Sequence, residues 1–348
     1  MPAPTTGILY DDVFLEHDEP SHPENARRLQ AIMRLLDSSG ILEQLVRLPI
    51  RPATEREIGA VHHRRLIEYV QTLAYEGGDW INPDTYVTAG SWRAATHAAG
   101  AAIRATEAVL NGEVRNAFAL IRPPGHHATP VTAMGFCLIN HVAIAARYAL
   151  DTWNLQRVAI IDWDTHHGNG TQDCFYGDSR VLYCSSHTWG IFPGTGDWQE
   201  MGEDAGTGTT LNVPLAPYGG DEVFEQVYDE LIIPAVRRFD PELIIVSAGY
   251  DSHWSDPLAP MNASVAGYAA MTQKVYNLAV DVCSSRLVCV LEGGYNLQAL
   301  AAGVLATLRV LQGRPDLVHD PLGARAAPRT EFASVMRALQ QTHPLLVS

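Results

Sequence analysis

Five short runs of this chain, at residues 117–121, 158–161, 181–184, 243–246 and 287–291, are apolar at every position, and several are rich in β-branched side chains. A strand with one face in water alternates apolar and polar residues. A run without alternation must be covered on both faces, as strands of a parallel sheet are. The segments 93–110, 142–150, 221–239 and 265–283 are Ala-rich or repeat apolar positions every three or four residues, which predicts helices. Strand and helix alternate, so the expected fold class is α/β: a doubly wound, mostly parallel sheet with helices on both faces. The chain has 348 residues, 47% of them hydrophobic, enough for a large core. It carries no internal repeat, low-complexity tract or linker, so one catalytic domain over 1–348 is expected.

The residues directly after each run narrow the reading further. The first run leads into RPPGHHA, the second into DWDTHHGNG and the third into SSHTW. The fourth leads into SAGYDSHWSDP and the fifth into EGGYN. In open parallel sheets ligands bind outside the carboxyl ends of the strands. Five strands of the same polarity therefore predict one functional edge, with the active site at the C-terminal strand ends.

The net charge of −15 argues against nonspecific nucleic-acid binding, which needs a basic face. An acidic surface is compatible with cationic substrates such as amines or Lys-rich tails, but solubility alone accounts for it more readily. The five cysteines, Cys137, Cys174, Cys184, Cys283 and Cys289, are odd in number and form no CxxC pair. They read as buried thiols of a reducing compartment. The N-terminal stretch shows no secretory signal, and no apolar run approaches the ~20 residues of a membrane span. A cytoplasmic protein without membrane contact is expected.

The chemistry begins at Asp162-Trp163-Asp164-Thr165-His166-His167. On an extended strand Asp162, Asp164 and His166 would share a face. Two carboxylates and an imidazole on one buried face repel or stay unsatisfied unless a cation joins them. The alternative is a polar loop whose carboxylates cap a helix. Asp251 ends another strand; alone it reads as a cap, beside this cluster as a third ligand. Asp164, His166 and Asp251 would leave a coordination position open, as a catalytic zinc site requires. Two carboxylates neutralise the ion, so such a site needs a base for the water and a donor for the developing oxyanion. His126 and His127 follow Gly125; adjacent side chains on an extended chain diverge, so two base-type roles fit them better than two ligand roles. Asp162 and Asn169 are candidate partners that would fix their tautomers. Tyr295, after Gly293-Gly294, is the candidate electrophile; the alternative is a core aromatic with a satisfied hydroxyl.

The segments HPENARR, RPPGHHA, MGFCLIN, DWDTHHGNGTQ, FPGTGD, SAGYDSHWSDPL and LEGGYN together resemble those of the histone deacetylase superfamily, most of all its class II branch and the bacterial amidohydrolases related to it. The likeness runs from about residue 10 to about 313, and the last ~35 residues resemble nothing recognisable. The resemblance implies Zn²⁺ on Asp164, His166 and Asp251. It pairs His126 with Asp162 and His127 with Asn169, the class II form of that position. It makes His127 the general base and proton shuttle and Tyr295 the group that polarises the scissile carbonyl. It also implies a tunnel walled by Phe136 and Phe192, a Gly135 carbonyl that accepts the substrate amide N–H, and rim positions at Asp84 and Leu258. Structural K⁺ would lie on the backbone carbonyls of Asp162, Asp164, His166 and Ser186 with the side chains of Asp162 and Ser185. A second monovalent site would use Phe175, Asp178 and Val181. The implied activity is deacylation of acetyl-lysine-type substrates to a free amine and acetate.

Three rivals remain. An arginase-like ureohydrolase needs two metal ions and a DxD pair where this chain has Asp251-Ser252-His253. A catalytically dead acyl-lysine or amine binder would not need the base and tyrosine present here. Within the family, an acetylpolyamine or small-molecule amide hydrolase is the alternative. One polyamine-specific branch carries Glu just after the Asp-Pro where this chain has Leu258, which favours lysine-type or apolar substrates over acylated polyamines.

Overall fold

A computed structural model describes residues 5–326 and 332–347. Its strands are β1 (Thr6–Leu9), β2 (Val46–Arg47), β3 (Gly78–Asn82), β4 (Thr85–Thr88), β5 (Asn116–Ala119), β6 (Val158–Asp162), β7 (Val181–Thr188), β8 (Thr210–Leu215), β9 (Leu243–Ala248) and β10 (Leu287–Leu291). Eight of them form one sheet in the order β2-β1-β5-β10-β9-β6-β7-β8. Every neighbouring pair in that sheet is parallel. β3 and β4 make a separate antiparallel hairpin. Each of the five runs picked out by its lack of alternation is a strand of the large sheet, and β5, β6, β7, β9 and β10 are buried along their whole length. Helices cover them. Ser91–Leu110 packs on His141–Thr152 and on the sheet, while Leu297–Leu311 packs between Arg27–Ser38 and Val265–Cys283.

The helix at Val265–Cys283 has the expected bounds. The segment 221–239 is helical but not uniform: a π turn at Tyr228–Ile232 joins Asp221–Val227 to Ile233–Phe239. Pro234 explains the break. In an α register its ring would clash with the carbonyl four residues earlier, and the wider turn relieves this. The third run extends to Thr188, so Ser185 and Ser186 lie on the strand itself. At the C-terminus, helix Ala333–Thr342 packs by the β8 edge, where His343 Nε2 lies 2.9 Å from the Thr210 carbonyl. No described helix is long and apolar enough to cross a membrane.

Candidate active site

The strands β5, β10, β9, β6 and β7 stand side by side in the sheet, so the five segments after them meet at one edge. There the ligand atoms of Asp164, His166 and Asp251 all lie within 4.8 Å of one another. His166 Nδ1 is 3.1 Å from Asp164 Oδ1 and 3.0 Å from Asp251 Oδ2. The convergence does not arise from strand alternation, as the sequence led us to expect. β6 stops at Asp162, and the chain then folds through successive turns held by its own carboxylates. The Asp164 N–H donates to Asp162 Oδ1 at 3.1 Å and the His166 N–H to Asp164 Oδ1 at 2.9 Å. Such local side-chain acceptors are what Asp supplies after a strand. Two glycines make the crowding possible. A Cβ on Gly249 would lie 2.2 Å from Asp164 Oδ2, and one on Gly293 would lie 2.4 Å from Asp251 Oδ2.

Asp162, Asp164 and Asp251 are fully buried, and among the described residues their ion-pair partners are the imidazoles of His126 and His166, with no lysine or arginine. Backbone N–H groups of Thr165 and Gly293 give Asp251 and Asp164 one further bond each, at 2.9 Å. With only protons to neutralise the cluster, burial and the charge of Asp164 push Asp251 up to about 7. Asp164 and Asp251 outweigh the burial of His166 and push it up to about 10. Two carboxylates and one imidazole converging at a buried point, with no lysine or arginine among the described residues to pair them, are the donor set of a divalent cation. The residues fit one.

The two neighbouring histidines differ in setting. His126 Nδ1 is 3.0 Å from Asp162 Oδ2, and Tyr183 donates to the same oxygen at 3.1 Å. Burial opposes its charge, but Asp162, Asp164 and Glu292 prevail and push His126 up to about 10. His127 Nδ1 is 2.9 Å from Asn169 Oδ1. An amide oxygen can only accept, so Nδ1 carries the hydrogen and Nε2 keeps its lone pair. Burial and the neighbouring His126 and His166 hold His127 well below the ordinary histidine range. Burial likewise keeps the Tyr295 phenol protonated. Its hydroxyl makes no hydrogen bond among the described residues, and its ring lies 5.0 Å from the Arg28 guanidinium.

A cavity of about 200 Å³ is lined by Asp84, His127, Gly135, Phe136, His166, Phe192, Leu258 and Tyr295. Every wall and rim residue expected from the sequence is therefore in one place. Phe192 meets His127 edge-on at 5.0 Å, and Phe136 meets Tyr295 edge-on at 5.7 Å. Gly135 has φ +57°, and a Cβ there would press on His127 and Phe192. Beneath the site Asp162 pairs in register with Ser185, and Ser186 comes next on the same buried strand. Phe175, Asp178 and Val181 share a turn in which the Asp178 N–H donates to the Phe175 carbonyl at 3.0 Å and the Val181 N–H to the Asp178 carbonyl at 3.2 Å.

Several residues escaped the sequence reading. Glu24 accepts from Arg122 Nε at 2.5 Å and from Arg28 at 3.0 Å, and all three are fully buried. Arg28 donates onward to the carbonyls of Gly294 at 2.7 Å and Glu292 at 2.5 Å. The Glu292 carboxylate accepts the N–H groups of Gly125 at 2.7 Å and His126 at 3.2 Å, tying the loop after β5 to the loop after β10. Asp256 accepts the Tyr295 N–H at 2.7 Å. All lie inside segments whose resemblance was visible, HPENARR, RPPGHHA, SAGYDSHWSDPL and LEGGYN; the pairings between segments were not.

The histone deacetylase domain family matches residues 22–311. A probable deacetylase of Archaeoglobus fulgidus is 43% identical over 84% of this chain and 82% of its own length. A histone deacetylase-like amidohydrolase of Pseudomonas aeruginosa is 41% identical over 92% of this chain and 84% of its own. Among solved structures, the crystal structure of the HDA15 HD domain superposes with a TM-score of 0.90 at 34% identity, covering 99% of this chain and 96% of that one. The chain belongs to the histone deacetylase family and is one of its hydrolases.

Proposed function

We propose that the protein is a zinc-dependent deacylase, built as one catalytic domain over residues 1–348, that hydrolyses the amide of acetyl-lysine-type substrates to a free amine and acetate. The observation that carries this reading is the meeting of an uncompensated Asp164–His166–Asp251 cluster, His127 and Tyr295 around one aromatic-walled cavity. Zn²⁺ held by Asp164, His166 and Asp251 would supply Lewis acidity to the amide carbonyl and to a water molecule. His127 takes a proton from the attacking water at Nε2, because its Nδ1–H is committed to Asn169. The water oxygen joins the carbonyl carbon while the Tyr295 hydroxyl donates to the carbonyl oxygen and stabilises its growing charge. As the C–N bond breaks, His127 returns the proton to the leaving amine. The Gly135 carbonyl accepts the substrate amide N–H, and Phe136 and Phe192 sheath the methylene chain. The His126–Asp162 pair holds the neighbouring charge fixed. Asp84 and Leu258 sit at the mouth, where they would meet the substrate backbone or its surroundings.

K⁺ would fit on the backbone carbonyls of Asp162, Asp164, His166 and Ser186 with the side chains of Asp162 and Ser185, since that carboxylate and Ser185 are buried in register on adjacent strands. The carbonyls of Phe175, Asp178 and Val181 would take a second monovalent ion. An acetylpolyamine or small-molecule amide substrate is the second reading; the net charge of −15 and the acidic Asp84 at the mouth favour it, and the apolar Leu258 opposes it. A side-by-side turnover panel of acetyl-lysine peptide, longer acyl-lysines and acetylpolyamines decides between them. The proposal expects the acetyl-lysine peptide to be turned over at the highest kcat/KM; turnover of none of them overturns it.

A further inference from the structure

The direction in which Tyr295 points depends on one peptide plane. Gly294 precedes it with φ +117°, a conformation open to glycine and to few other residues. The plane joining Gly294 to Tyr295 is held at both ends. Its carbonyl accepts from Arg28 Nε at 2.7 Å, and its N–H donates to Asp256 Oδ2 at 2.7 Å. Asp256 is buried, and its carboxylate takes two more backbone donors: the Asn296 N–H at 3.2 Å, and the Leu258 N–H, on Oδ1, at 2.9 Å. Leu258 and Tyr295 both line the cavity. A single carboxylate thus ties the rim segment after β9 to the tyrosine loop after β10. The adjacent helix Leu297–Leu311 does not need it as a cap, because the Asn296 side chain already accepts from Gln298 and Ala299.

We infer that Asp256 is a positioning residue for deacylation: by gripping the N–H of the Gly294–Tyr295 peptide it aims the Tyr295 hydroxyl at the substrate carbonyl, and through Leu258 it keeps the rim in register with that hydroxyl. The inference rests on the reading of Tyr295 as the oxyanion donor. Asp256→Asn keeps the side-chain shape but offers one acceptor oxygen where three N–H groups need acceptors. The N–H end of the peptide plane then loses its anchor while Arg28 still holds the carbonyl end, and misplacement of a catalytic group by an ångström or less costs up to about 100-fold in rate.

The test is a double-mutant cycle on the zinc-loaded full chain with an acetyl-lysine peptide, comparing wild type, Asp256→Asn, Tyr295→Phe and the double variant. Asp256→Asn is expected to lower kcat about 10- to 100-fold with KM changed less than about twofold. In the Tyr295→Phe background the same substitution should cost less than about threefold more, because the group it positions is gone. A full, additive loss in that background overturns the inference, since it would mean that Asp256 acts on general integrity and not through Tyr295. So does a kcat within about threefold of wild type for Asp256→Asn. Should that variant fail to fold, Asp256→Glu, which keeps the charge and both oxygens one methylene further out, is read in the same cycle. Wild-type kcat in Tyr295→Phe alone overturns the assignment of Tyr295, and this inference with it; a crippled Tyr295→Phe beside an additive Asp256→Asn overturns this inference only.

Discussion

The loop from Glu292 to Tyr295 is held by two clusters of buried charge that are balanced in different ways. On one side Glu24 receives Arg122 through both oxygens, at 2.5 and 2.8 Å, and Arg28 at 3.0 Å. Further guanidinium hydrogens go to the carbonyls of Phe14, Gly294 and Glu292 and to the Tyr86 hydroxyl. The two arginines outweigh the cost of burial and hold Glu24 well below the usual carboxylate range. On the other side Asp162, Asp164 and Asp251 share imidazoles and backbone N–H groups, with no lysine or arginine paired to them among the described residues. The carboxylates of both clusters are equally buried. Burial of charge therefore does not distinguish the two clusters; the lack of a lysine or arginine partner, among the described residues, does.

Breaking the closed cluster should have the largest effect on folding. Glu24→Gln strands two guanidinium groups in the core, and removing one partner of a buried ion pair typically costs ~3–5 kcal/mol. Denaturant unfolding should show that loss whether or not metal is bound, and a loss under ~1 kcal/mol would dissolve the contrast between the clusters. The lowered pKa sets the sign with pH. A carboxylate depressed in the folded state contributes stability that is complete above its unfolded value, ~4.3, and is lost as pH falls below that. Acid unfolding below about pH 4 should accordingly be shallower in Glu24→Gln than in wild type.

The open cluster is probed through kinetics. Tyr295→Phe removes the proposed oxyanion donor while keeping the ring, and should cost ~10²–10³ in kcat, or roughly 3–4 kcal/mol, with Tm unchanged. A kcat within about threefold of wild type would contradict the role given to Tyr295. Asn169→Asp is a smaller perturbation aimed at His127. The new carboxylate favours the imidazolium and raises the histidine pKa by ~1–3 units. His127 must be neutral to accept a proton, so the acidic limb of kcat/KM should move to higher pH, with activity near pH 7 reduced and recovered on the alkaline side. A limb that coincides with wild type at equal metal occupancy would separate His127 from the base role or Asn169 from His127. Smallest is Leu258→Glu, which places a carboxylate at the half-exposed mouth. It should shift the kcat/KM ratio toward acetylpolyamines by ~1–2 kcal/mol, and an unchanged ratio would remove Leu258 from the substrate path.

The sequence exposed the open cluster far better than the closed one, for a physical reason. Asp162 through Asn169 lie within one segment, and runs with no polar face announce buried strands whose ends must meet. Even there the expected strand alternation was replaced by Asx-type turns, with the same convergence by another route. Glu24 and Arg122 are 98 positions apart, and Arg28 reaches a carbonyl 266 positions away. No local pattern encodes such pairs. The short strands β1 and β2, with four and two residues, and the half-exposed hairpin of β3 and β4 lack the periodicity that marks longer elements. β8 reads TLNVPL, with an Asn and a Pro inside it, and is a strand because the ladder of β7 lies beside it.

The central claim is that the uncompensated carboxylates exist to hold a catalytic cation. Elemental analysis of the purified chain, run in parallel with turnover of an acetyl-lysine peptide, tests it most directly. The account predicts one tightly held transition-metal ion per wild-type chain and its loss in Asp251→Asn. Activity should disappear on chelation and return with added Zn²⁺. Full turnover by protein verified as metal-free, or two such ions per chain, would contradict it.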